Sequence, residues 1–206
     1  MSQKMKIGVL ALGLGNPQSV SRMLNRCGFK NEMVTALADV RNADVLILPG
    51  VGRFSAGMDA IRRIPGLHDY LMLFPNDKTL IGICLGMQLL FDASQEDNCR
   101  GLGLIPGVVK KLEVSEGNRV PNMGWRVISG VANKESLYIE DSWKFYFTHS
   151  FAVSADSEHC IAKTSHTGQV AAAVKCDNVI GFQFHPEKSH QFGMNLLKRT
   201  LEDLGV

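Results

Sequence analysis

The sequence predicts an α/β fold: a central, mostly parallel sheet flanked by helices, with an additional strand-rich C-terminal half, in one domain over residues 1–206. Three observations lead there. Short β-branched apolar runs alternate with helical stretches through the first half, the pattern of a sheet covered on both faces. After about residue 103 the pattern changes to short β-like runs separated by turn signals. Apolar residues make up 45% of the 206 and charged residues 20%, enough apolar material for one sizeable core.

Residues 6–11 read as a buried strand. Residues 17–27 follow as a helix, with Val20, Met23, Leu24 and Cys27 at helical spacing. A second strand, DVLIL at 44–48, is expected to end at Pro49 and Gly50, and a third is TLIGI at 79–83. In the second half the expected strands are 107–112, 144–151, 160–164, 170–175 and 179–184. Asp177-Asn178 suits a tight hairpin turn, because both residue types tolerate positive φ. A last helix is expected from about Ser189, with Phe192, Leu196, Leu197, Thr200, Leu201 and Leu204 on its inner face. The strand-rich half is expected to extend the same core.

Twenty-two basic and twenty acidic residues give a net charge of +2 and are dispersed in ones and twos, which argues against a nucleic-acid footprint or a membrane-attracting patch. A small substrate is expected. No stretch approaches the roughly 18 apolar residues of a spanning helix, and the run at 7–12 is too short for a signal-peptide core, so a cytoplasmic location is expected. Five cysteines, at 27, 84, 99, 160 and 176, contain no Cys-x-x-Cys pair, which argues against a disulfide framework and a thiolate zinc site.

One cysteine is promoted by its neighbours. In Gly82-Ile83-Cys84-Leu85-Gly86 an apolar strand runs into a helical pattern, the thiol form of a nucleophile elbow, where small flanking residues permit a sharp strand-to-helix turn. A helix start also offers backbone N–H groups that favour a thiolate and can hold an oxyanion. Taken alone, the segment is also compatible with a cysteine packed under a strand. A thiol nucleophile needs a base. His185 ends an apolar strand in Phe184-His185-Pro186-Glu187, at the carboxyl edge where parallel sheets gather ligands, and Glu187 stands close enough to orient it. A zinc site from His185 and His190 fails because Pro186 disfavours the shared helical face it would need. Dinucleotide binding at Gly13-x-Gly15 fails because position 18 is Gln. His68, His159, His166 and His190 read as surface or capping residues.

G-I-C-L-G-M-Q at 82–88, H-P-E at 185–187 and P-G-V-G at 49–52 together resemble the class I (triad) glutamine amidotransferases over nearly the whole chain. Within that family the chain is most similar to HisH, the glutaminase subunits of imidazole glycerol phosphate synthase. The further segments that carry this are G-x-G-N at 13–16, P-x-M-G-W at 121–125 and F-H-P-E-K-S at 184–189. The resemblance implies hydrolysis of L-glutamine to glutamate and ammonia through a thioester on Cys84, with His185 as base and acid and Glu187 orienting it. It implies an oxyanion site from the backbone of Leu85 and of Gly50, Val51 and Gly52. Gln88, Glu96, His149, Ser150 and Phe151 would hold the amino-acid end of glutamine. No cofactor or metal is implied. A synthase (cyclase) subunit of HisF type is the implied heterodimer partner, facing Asn16, Asn122, Met123, Trp125, Arg126 and Lys188.

The chain departs from the family pattern in two places. Ala11-Leu12 stand where the family usually has Asp-Tyr, and Asn122 and Arg126 replace a His and an Asn around Met123-Gly124-Trp125. These departures leave open a paralogue that supplies ammonia to a surface-sugar amidotransferase. A free-standing cysteine hydrolase is the remaining alternative.

Overall fold

The computed structural model describes residues 5–114, 119–131 and 143–206. Its first half alternates strands β1 (Ile7–Leu10), β2 (Asn31–Val34), β3 (Val45–Gly50) and β4 (Thr79–Cys84) with helices α1 (Pro17–Arg26), α2 (Leu37–Asn42), α3 (Phe54–Arg62), α4 (Leu67–Met72) and α5 (Leu85–Leu89). The second half contributes β5 (Phe91–Ser94), β6 (Cys99–Arg100), β7 (Ile105–Lys111), β8 (Asn122–Val127), β9 (Ser129–Gly130), β10 (Lys144–His149) and β11 (Phe151–Ala152). It ends with β12 (Cys160–Ser165), β13 (Gln169–Cys176), β14 (Val179–Phe182) and helix α6 (His190–Asp203).

Eight strands form the main sheet in the order β2-β1-β3-β4-β14-β13-β12-β9. The pairs from β2 to β14 are parallel, and β13, β12 and β9 add on antiparallel. Every residue of β1, β3 and β4 is buried, because helices cover both faces; this is why these strands read as unbroken apolar runs. Side chains still alternate. Ile7, Val9, Val45, Ile47, Ile81 and Ile83 pack with Val20 and Leu24 of α1 and Leu197 and Leu201 of α6. Leu10, Leu46, Leu48 and Leu80 pack with Met58 and Ile61 of α3 and Leu71 of α4 on the other face.

α1 begins where Asn16 Oδ1 accepts the Ser19 N–H at 3.1 Å and Pro17 supplies a preset φ. The Asp177-Asn178 hairpin joins β13 to β14, with Asp177 at φ 50°. Two expectations change. Pro49 and Gly50 do not end β3; they stay paired with Ile83 and Cys84 of β4, since the strand runs on beside its neighbour. The expected strand 144–151 breaks at Ser150, with β10 pairing with β8 and β11 crossing to β7. The second half extends the same core, as expected: Phe145 and Phe147 of β10 join the cluster on one face and Phe91, Ile105 and Val109 of β5 and β7 the cluster on the other, although only β9 and β12 to β14 join the main sheet, and β11-β7-β5-β6 and β10-β8 form two small sheets.

Candidate active site

β4 and β14 run parallel with Phe182 opposite Ile83, so the segments leaving both strands emerge at the same sheet edge. Cys84 lies at the first of these exits with φ 55° and ψ −109°, a conformation that non-glycine residues rarely adopt. The flanking glycines are what the turn requires. A Cβ on Gly82 would stand 2.7 Å from the Gly86 backbone, and one on Gly86 would stand 1.8 Å from the Leu48 carbonyl oxygen. The motif therefore reports close backbone packing, and it leaves Cys84 6% exposed at the mouth of a cavity. The Sγ lies 3.9 Å from the Thr148 carbonyl.

His185 sits at the second exit, 1% exposed. Its backbone N–H donates to Tyr146 O at 2.9 Å, and its carbonyl accepts from Ser189 Oγ at 2.6 Å; Ser189 Oγ in turn accepts the Tyr146 N–H at 3.0 Å. Gly193 of α6 lets the helix press on this turn, because a Cβ there would lie 2.0 Å from Pro186 O. The imidazole is therefore fixed at both ends of its backbone. Its Nδ1–H donates to Glu187 Oε1 at 2.8 Å, with the Glu187 side chain only 6% exposed. Burial pushes His185 down, but the Cys84 thiol and the Glu187 carboxylate outweigh it and raise the imidazole from 6.5 to about 9. With Nδ1 committed to Glu187, Nε2 is the nitrogen left to face the thiol.

The cavity of about 300 Å³ beside Cys84 is lined by Val51, Gly52, Leu85, Gln88, Glu96 and the 148–151 segment. Gln88 uses its amide nitrogen internally, donating to Phe151 O at 2.9 Å and Gln183 Oε1 at 3.1 Å, so its carbonyl oxygen is the group left for a ligand. Glu96 Oε2 accepts the Phe54 N–H at 2.8 Å at the start of α3. Asp97 beside it takes Ser55 Oγ at 2.6 Å and pairs with Arg53, which ties this acidic turn to the chain just after Gly52. His149 is 6% exposed and lowered to about 4, chiefly by burial.

Of the residues expected to face a partner, Met123 and Trp125 are 58% and 40% exposed on one face of β8. Trp125 stacks on His190 with centroids 5.1 Å apart and meets Tyr146 edge-on, while Lys188 Nζ lies 5.7 Å from the Tyr146 ring centroid. Asn16 is exposed but holds the cap of α1. Asn122 corrects the expectation. Strand alternation turns it inward, fully buried, where Nδ2 is 3.0 Å from His149 Nε2. Arg126 shares that inner-facing side of β8, with Nη1 on Trp125 O at 3.2 Å and Nη2 3.4 Å from His166 Nδ1, so it does not stand on the Trp125 face. Ser189, Gly193, Thr148 and Gln183 escaped the sequence reading. Only the His-Pro-Glu-Lys-Ser run, which places Ser189 four residues after His185, carried a signal for any of them.

The profile described as glutamine amidotransferase class-I matches residues 9–204. The chain belongs to the class-I glutamine amidotransferase family. Among the relatives of this amidotransferase, imidazole glycerol phosphate synthase subunit HisH 2 of Pseudomonas aeruginosa is 40% identical over 95% of this chain and 98% of its own. The subunit of the same name from Methanococcus maripaludis is 36% identical over 95% of this chain and 98% of its own. The chloroplastic imidazole glycerol phosphate synthase hisHF of Arabidopsis thaliana is 37% identical over 95% of this chain, which spans only 34% of that relative. A crystal structure of a glutamine amidotransferase superposes with a TM-score of 0.75 at 20% identity, over 97% of this chain and 99% of that one, which shows the shared fold.

Proposed function

We propose that this amidotransferase is a glutaminase subunit that hydrolyses L-glutamine and passes the ammonia to a synthase partner, with the HisH-type reaction of histidine biosynthesis as the reading best supported. The observation that carries it is the Cys84 turn opening on a glutamine-sized cavity, with the buried His185–Glu187 pair at the same sheet edge.

In this reading Cys84 Sγ attacks the side-chain amide carbon of glutamine. The carbonyl oxygen moves toward the Leu85 N–H and the backbone of Gly50, Val51 and Gly52, where N–H groups offset the developing negative charge. His185 Nε2 delivers its proton to the departing nitrogen, ammonia leaves and a γ-glutamyl thioester remains. Water then attacks the thioester with His185 as base, releasing glutamate and restoring the thiol. Glu187 holds the Nδ1–H tautomer and stabilises the cation without taking the proton. The raised proton affinity of His185 suits an imidazole that takes the thiol proton as Sγ attacks and holds it for the departing nitrogen. At the far end of the cavity the free oxygen of Gln88 and the Glu96 carboxylate are acceptors suited to the α-ammonium of an amino acid.

Ammonia released into water at neutral pH becomes ammonium and is no longer a nucleophile, so the reaction calls for a partner that seals the exit. The exposed Met123-Trp125 face is the surface we assign to a cyclase subunit of HisF type, consistent with relatives that are named as synthase subunits and with one that carries additional chain. A glutaminase assay on the isolated chain, repeated with a barrel-type synthase and its acceptor ligand, tests this. Low basal hydrolysis that rises by orders of magnitude on adding both is the expected result, and full activity of the chain alone would point to the free-standing hydrolase.

A further inference from the structure

The buried hydrogen bonds beside the cavity have only one consistent assignment. Phe151 O lies 2.9 Å from His149 Nδ1 and 2.9 Å from Gln88 Nε2. A carbonyl only accepts, so His149 Nδ1 carries its hydrogen. His149 is neutral at working pH, because burial lowers it to about 4, so its Nε2 bears a lone pair and needs a donor. Asn122 Nδ2, at 3.0 Å, is that donor. We propose that Asn122 is a positioning residue for glutamine: its amide fixes the ring of His149, and through it the Phe151 carbonyl, the Gln88 side chain and the 148–151 backbone that lines the cavity next to Cys84.

The cost of this arrangement shows in the same side chain. Asn122 is fully buried, and its Oδ1 has no hydrogen-bond partner among the described residues. An apolar side chain would avoid that penalty but could not satisfy His149 Nε2. Without the donor, the Nε2 lone pair is buried with no partner, and the ring keeps only one of the two hydrogen bonds that fix it. The ring is then free to shift together with the Phe151 carbonyl it bonds, and the Gln88 side chain held by that carbonyl shifts with them. The loss would fall on recognition of the amino-acid end, with the nucleophile untouched. Asn in place of the family's usual His keeps a donor at this position, which is why a departure that looked like a change of partner surface is a change inside the site.

The inference rests on the glutaminase reading, and its test separates the two. Cys84 of the full chain is alkylated with a chloroketone analogue of glutamine and, separately, with iodoacetamide, which lacks the amino-acid end. For Asn122→Leu the half-saturating chloroketone concentration should rise about tenfold or more, the factor that ~1.4 kcal/mol of binding corresponds to, with the iodoacetamide rate unchanged. An unchanged chloroketone constant, or an equal loss with both reagents, overturns the positioning role. A parent that shows no preference for the chloroketone overturns the glutamine reading itself, and the inference with it. Ring 15N chemical shifts of the parent need no variant: His149 should show the neutral Nδ1–H tautomer across neutral pH. The Nε2–H tautomer, or a cation there, contradicts the proposal.

Discussion

Gly86 stands so close to Leu48 that a Cβ on it would lie 1.8 Å from the Leu48 carbonyl oxygen. Backbone cannot yield there without parting β3 from β4, because Leu48 is paired with Gly82 in that ladder. Gly86→Ala should therefore disturb the fold as well as the chemistry, lowering stability by more than the ~1 kcal/mol typical of a point substitution and removing glutaminase activity. Urea unfolding and an activity assay on the same preparation check this; a variant with parental stability would show that the turn is looser than its geometry implies.

The two buried site histidines shift in opposite senses and give opposite pH limbs. His185 is raised from 6.5 to about 9, so its contribution is fully present below about pH 6.5 and is lost as pH climbs through about 9. His149 is lowered from 6.5 to about 4, so its contribution is present above about pH 6.5 and is lost as pH falls through about 4. Stability measured by urea midpoint should peak between the two windows. Cys84→Ala, which removes a group that raises His185, should flatten the alkaline limb alone; an alkaline limb of unchanged steepness in that variant contradicts the Cys84–His185 coupling.

Ser189 bonds the His185 carbonyl and the Tyr146 N–H while itself fully buried. Ser189→Ala leaves both backbone groups without that partner, for a cost of about 1–3 kcal/mol, and lets the His185 turn shift. The expected kinetic signature is a fall in kcat with KM little changed, read from steady-state glutaminase kinetics. A variant that loses stability but keeps kcat would confine Ser189 to a structural part.

Trp125 and Arg126 are adjacent in sequence and lie on opposite faces of β8, which gives a paired prediction for the proposed synthase surface. Trp125→Ala should weaken synthase binding by about 2 kcal/mol or more, as an exposed aromatic anchor does, and Arg126→Ala should change it little. Titration of each variant with the synthase by calorimetry decides it. The reverse order would return partner choice to Arg126.

How much of this could be read from the sequence varies by residue for physical reasons. Cys84 and its glycines were legible because an elbow is local: the contacts that demand small residues lie within five positions or on the adjacent strand. β1, β3 and β4 were legible because burial on both faces leaves no polar alternation to confuse them. Pro49 and Gly50 misled, since both types usually stop strands, whereas here they continue the ladder beside β4. Asn122 misled in a different way. Its strand was visible only as a family segment, and which face of β8 turns inward depends on the pairing with β10, which local sequence does not carry. Ser189, Thr148 and Gln183 make contacts to residues 43, 64 and 95 positions away, beyond any local pattern.

The central claim is that glutamine is cleaved through a covalent γ-glutamyl thioester on Cys84. Its most direct test is acid quenching of the chain during turnover, with partner and acceptor ligand present, followed by peptide mass spectrometry. The expected result is a γ-glutamyl adduct on the peptide containing Cys84 that disappears when glutamine is exhausted, and its complete loss, together with hydrolysis, in a still-folded Cys84→Ala variant. Glutamate accumulating with no adduct on Cys84, or hydrolysis persisting in that variant, would contradict the mechanism.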